Sequence, residues 1–102
     1  MKKLLVLSAF AAMLASGTAL ADTSGKKIAF SNNYAGNSWR QAMLDSYAIV
    51  TKKAVEDKVV AAADVFTTAD KEVPTQAAQV QNLILQGYDA IVINAASPDA
   101  LN

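Results

Sequence analysis

The chain has 102 residues, nine Lys+Arg against nine Asp+Glu, 53% apolar residues, no His and no Cys. That length holds at most one small domain, and the neutral balance offers no basic face for a nucleic acid. Without Cys or His there are no disulfides, thiolate or imidazole metal ligands, thiol nucleophiles or Ser–His–Asp triads.

The N-terminus has three parts. Met1-Lys2-Lys3 supplies positive charge, Leu4 to Ala15 is an apolar run broken only by Ser8, and Ala19-Leu20-Ala21 is a small-x-small site. This is the layout of a cleaved secretory signal, and the run is too short for a membrane-spanning helix. Residues 1–21 are therefore read as a signal peptide and 22–102 as the mature segment. Seven basic and nine acidic side chains remain in that segment. It builds only a modest core, and no disulfide compensates for its size.

Lys27 to Ser31 is a short apolar strand, followed by the polar run Asn32-Asn33-Tyr34-Ala35-Gly36-Asn37-Ser38. The spacing predicts a helix over 38–58, capped by Asn37 or Ser38, with Trp39, Met43, Tyr47, Val50 and Ala54 as its apolar stripe. Val59 to Phe66 reads as a second strand. Pro74 opens a second helix, whose buried face is Ala77, Val80, Leu83 and Ile84, and Gly87 closes it. Tyr88 to Asn94 is a third strand, and its β-branched centre predicts cover on both faces. Ser97-Pro98-Asp99 opens a further helix.

The strands begin near Ile28, Val59 and Asp89, steps of 31 and 30 residues, the length of a βαβ unit. The expected fold is three-layer α/β, with a parallel sheet in the order 2-1-3 and right-handed crossovers. The first two helices are expected on the same face of the sheet or nearly so. Open sheet edges and a half-built core lead to the expectation of a fragment of a longer protein.

In such sheets ligands bind beyond the carboxyl ends of the strands, where strand order reverses. Residues 31–40 and 94–99 line that crevice, and Asn32, Asn33, Tyr34, Asn37, Trp39, Arg40 and Asn94 are the candidate binding residues. Asn offers donor and acceptor, Arg a planar fork, and aromatic rings can cover the C–H face of a sugar. A phosphate loop would need more glycine than Gly36 alone. Each residue also has a plainer reading: Trp39 as core, Asn32 and Asn33 as turn formers, Arg40 as a solvated helix residue. No G-x-S-x-G and no paired carboxylates stand at the strand ends, so no catalytic residue is assigned.

KKIAFSNNYAGNSWRQAML behind a secretion signal, and QNLILQGYDAIVINAASPDAL after it, resemble the periplasmic sugar-binding proteins of ABC importers. These are the ribose-binding-protein-like, type I periplasmic binding proteins. The resemblance covers nearly all of 22–102. It implies two lobes closing on a sugar, of which this chain would be an incomplete N-terminal lobe, with contacts at the seven residues above. Many members carry Asn-Pro directly after strand three, whereas this chain has Asn94-Ala95-Ala96-Ser97-Pro98. The implied protein is a periplasmic receptor, monomeric at full length, that delivers a carbohydrate to a membrane permease. It has no catalysis, cofactor, metal or nucleic-acid partner. The alternative is a sensory or quorum-signal receptor of the same fold.

Overall fold

The computed structural model describes residues 21–102. The expected signal peptide, apart from Ala21 at its cleavage end, lies outside that range. The elements follow in the order β1 (Lys27–Asn33), α1 (Ser38–Glu56), β2 (Ala62–Thr68), α2 (Val73–Leu85) and β3 (Ala90–Asn94). The sheet is parallel with strand order β2-β1-β3, as the spacing predicts.

β1 is two residues longer than expected. It pairs with β2 from Lys27↔Ala62 to Asn33↔Thr68 and with β3 from Ile28↔Ala90 to Asn32↔Asn94. A central strand satisfies its backbone on both edges, so the two asparagines stay in the ladder and do not begin a loop.

The two helices lie on opposite faces of the sheet, not on one as the sequence reading expects. Successive strand side chains point to opposite faces. Phe30 meets Tyr47 of α1 with tilted rings and centroids 5.1 Å apart, while Ser31 donates to Gln79 of α2 at 2.6 Å. The reason is topological. β1→β2 and β2→β3 cross the sheet in opposite directions, and keeping both crossovers right-handed sends their helices to opposite sides. That is what makes the fold three-layered.

Both helices end in the same way. At α1, Val59 N–H donates to the Ala54 carbonyl at 2.9 Å and Lys58 N–H to Val55 at 3.1 Å. At α2, Tyr88 N–H donates to Leu83 at 3.3 Å and Gly87 N–H to Ile84 at 3.0 Å. Each is a Schellman turn, which requires a left-handed residue just past the cap. Gly87 fills that position at φ 81°, and Lys58 fills it at φ 57°. The turn consumes Val59, Val60 and Ala61, so β2 begins at Ala62 and not at Val59. Val60 is buried beneath the turn.

The buried apolar residues among those described are Ala29, Phe30, Val60 and Leu83. The expected α1 stripe holds at Met43, Tyr47 and Ala54, which are half-buried. Trp39 and Val50 are instead 65% and 68% exposed, and Arg40, Leu44 and Thr51 complete the inner face. On α2, Leu83 is buried but Ile84 is exposed, and the centre of the face is Gln76. β3 is not covered on both sides: Val92 and Ile93 are both exposed. α1 packs mainly on β2 and α2 mainly on β1, and α2 meets β3 at its end through Gln76 and the Asn94 carbonyl. Ser97 to Leu101 forms turns where a helix opening is expected, with Ser97 Oγ accepting from Ala100 N–H at 3.2 Å. Among the described residues no helix is long and apolar enough to cross a membrane.

Candidate functional site

The carboxyl ends of the three strands are joined by side chains. On the α1 face Thr67, Asn32 and Asn94 are register partners in a row across β2, β1 and β3. Asn94 Nδ2 donates to Asn32 Oδ1 at 2.9 Å, and Asn32 Nδ2 donates to Thr67 Oγ1 at 3.4 Å and to the Tyr34 carbonyl at 3.3 Å. Asn32 is fully buried, and both of its N–H donors are engaged by the protein. Its neighbour Asn33 points to the α2 face, where Nδ2 donates to Thr68 Oγ1 at 3.2 Å and the Ala69 carbonyl at 2.7 Å. The two asparagines are therefore not brought together.

The loop from β1 to α1 is shaped by Tyr34. Its backbone is left-handed, at φ 65°, and its N–H still bonds the Thr68 carbonyl at 2.9 Å. The ring folds back over Gly36, where any Cβ would run into it. Gln41 Nε2 donates to the Ala35 carbonyl and holds the loop against the helix. Asn37 caps α1, its Oδ1 accepting from Arg40 N–H at 2.8 Å.

That cap sets Arg40 on the first turn with its guanidinium 5.5 Å from the centroid of the Tyr34 ring. The Arg40 Nε is buried and has no hydrogen-bond partner. Trp39 stands beside it in solvent, which answers the question of whether it is core: it is not. The Tyr34 ring and Asn37 of the loop thus stand with Trp39 and Arg40 of the first turn of α1, next to the row ending in Asn94. A groove of about 480 Å³ lies elsewhere, between α1 and β2 along Tyr47, Thr51, Val55 and Val65, away from the strand ends.

One buried residue escapes the sequence reading. Gln76 is completely buried at the start of α2. Its Nε2 donates to the Asn94 carbonyl at 3.0 Å and to Ser31 Oγ at 3.2 Å, and its Oε1 accepts from Ala96 N–H at 2.7 Å. A polar residue amid Ala77, Val80 and Leu83 reads as a face boundary. The signal for its burial is the i, i+3 pair Gln76 and Gln79, which together meet the buried Ser31 hydroxyl.

At the opposite end of the strands Asp89 Oδ2 accepts from Lys27 N–H at 2.8 Å, and Tyr88 donates to Asp64 Oδ2 at 2.6 Å. Bonding to the carboxylate holds the Tyr88 phenol above its ordinary pKa, while burial does the same to Tyr47. Among the described residues no cluster of acidic side chains could hold a metal ion.

A buried, uncharged network stands at the reversal of strand order, beside an exposed aromatic and an arginine. The periplasmic binding protein domain family matches residues 28–102. This chain belongs to that family. The crystal structure of an ABC transporter solute binding protein from Thermobispora bispora DSM 43833 is similar, at 38% identity and a TM-score of 0.71. That similarity covers 74% of this chain and 24% of the solved one, so the matched part of the periplasmic-binding domain spans about a quarter of that relative. No curated protein matches the sequence. In open α/β sheets ligands bind beyond the carboxyl ends of the strands, the end at which the polar row and Arg40 stand.

Proposed function

We propose that this chain carries part of the ligand-binding lobe of an extracytoplasmic receptor that captures a sugar for an ABC transporter permease. Residues 1–21 direct export and are removed, leaving 22–102 as the α/β part of the lobe. The observation that carries the reading is the chemistry at the strand ends: neutral amides from Asn32, Asn33, Asn37 and Asn94, with Tyr34, Trp39 and Arg40 at the rim. A polyhydroxylated ring matches amide and guanidinium groups hydroxyl by hydroxyl, and an exposed indole covers its apolar face.

Within this site the roles divide. Asn32 and Asn33 are bonded to the protein and act by shaping the floor. Arg40, Trp39 and Asn94 meet the sugar. Closing a second lobe over them would remove water and strengthen each hydrogen bond, and this differential contact drives closure. The receptor works as a monomer, performs no catalysis and needs no cofactor or nucleic acid.

The test is calorimetric titration of the full-length protein with D-ribose, D-xylose, D-glucose and D-galactose, with an amino acid and a dicarboxylate as contrasts. Saturable binding of at least one sugar and neither contrast is expected; binding of a contrast alone would refute the assignment. Export is checked separately by the N-terminal sequence of periplasmic material from a Gram-negative host, which should start at Asp22.

A further inference from the structure

We propose that Gln76 is the positioning residue of the turn that follows β3, holding that turn in its ligand-ready shape from the far face of the sheet. The inference rests on the reading of residues 94–99 as one wall of the binding crevice. A primary amide has two N–H donors and one carbonyl acceptor. In Gln76 these are spent on two strands and a turn at once: Nε2 on the Asn94 carbonyl and on Ser31 of β1, Oε1 on Ala96 N–H.

The two groups gripped on the turn flank Ala95, just where β3 ends and its ladder with β1 stops at Asn32↔Asn94. Nothing in the regular sheet fixes the backbone beyond that register. Gln76 does so by standing in for the next rungs of the ladder.

Gln76 therefore acts through another residue. Its grip on the Asn94 carbonyl sets the backbone from which the Asn94 side chain reaches Asn32 on the opposite face, at 2.9 Å. From α2 the connection runs through β3 and β1 to Thr67 of β2, crossing every strand of the sheet. The grip is rigid because Gln76 is wholly buried and Ser31 Oγ, which it touches, is tied in turn to Gln79. An apolar side chain of the same length would leave the half-buried Asn94 carbonyl and Ala96 N–H without their partner. The turn would then relax to find water, and a misplaced binding wall weakens a preorganised site without any lost contact to the ligand.

The experiment compares wild type, Gln76→Met and Leu83→Ala in the full-length protein. Leu83 is buried on the same helix and touches no part of the turn's hydrogen bonding, so its loss controls for simple destabilisation. Two quantities are read at a temperature where circular dichroism shows each variant folded: amide hydrogen exchange at Ala96, and affinity for whichever sugar of the panel above binds wild type. Gln76→Met should speed exchange at Ala96 and weaken binding by about tenfold, the size of one well-placed hydrogen bond. Leu83→Ala should leave both near wild type. Equal affinities in the two variants, with Ala96 still protected, would overturn the proposal.

If no sugar binds wild type, the proposed function fails while the exchange at Ala96 still decides the role of Gln76. Should Gln76→Met not fold, the wild-type amide alone decides. Ala96 lies outside helix and strand, and free-peptide exchange there would refute the grip.

Discussion

At the carboxyl ends of the strands Ser31, Asn32 and Asn33 of β1 and Gln76 of α2 are buried, uncharged and hydrogen-bonded to neighbouring elements. At the amino ends Lys26, Lys27, Asp64, Tyr88 and Asp89 are charged or phenolic and remain half-buried or exposed. Both ends are polar, but burial separates them. A neutral amide can be taken out of water at modest cost if every donor finds an acceptor, and it then fixes its neighbours. A charged group stays in water, where its pairing contributes little. The rigid end is the one that meets ligand in the proposed function.

The contrast is broken most directly at Asn32. Asn32→Ala should destabilise the full-length protein by about 3 kcal/mol, since it removes three hydrogen bonds and leaves the Asn94 amide without its acceptor. Urea denaturation measures this, and a loss under about 1 kcal/mol would show that water replaces the side chain freely.

Arg40→Ala sharpens the division of roles inside the carboxyl end. It should lower sugar affinity by roughly ten- to a hundredfold, or 1.5–3 kcal/mol, with the fold intact. Its partner Tyr34 is aromatic and both side chains are only half-buried, so stability should fall only by the ~0.5–1 kcal/mol of a partly solvated cation–π contact. Unchanged affinity would move the site onto the asparagines.

At the amino end a gain is expected. Lys58 occupies a left-handed position that Gly87 fills without strain in the matching turn, so Lys58→Gly should stabilise by up to about 1 kcal/mol. A rise in the urea midpoint checks it, and a fall would mean that the lysine side chain has a partner in the turn.

The smallest effect is in pH. The Asp64 carboxylate raises the Tyr88 pKa, so the bond between them is present below the phenol's ordinary value of about 10 and is lost as pH rises through the raised one. Phenolate absorbance should show two tyrosines of wild type titrating late, Tyr47 and Tyr88, and the Tyr88 titration should come earlier in Asp64→Asn. A curve that does not move would detach Tyr88 from Asp64.

The candidate site was legible in part. Asn37 as cap, and the convergence of residues 31–40 with Asn94, follow from capping chemistry and from strand order. Sequence could not say that Asn32 and Asn33 face opposite ways, because that depends on β1 continuing for two residues as a central strand. Gln76 was missed because a lone polar residue beside an apolar helix face is exposed more often than buried. Lys58 hid the end of α1, since the left-handed position lacks the glycine that announced it at Gly87.

By itself the sequence determined the alternation of strand and helix, the parallel pairing and the order β2-β1-β3. These rest on hydrophobic period, element length and the handedness of crossovers, all of which act along the chain. Tertiary structure alone decided which face each helix covers, where β2 starts and which polar side chains are buried. Those outcomes depend on partners distant in sequence. Gln76 is inside because Ser31, Asn94 and Ala96 each offer it a hydrogen bond, and no local pattern encodes three partners that meet only once the sheet has formed.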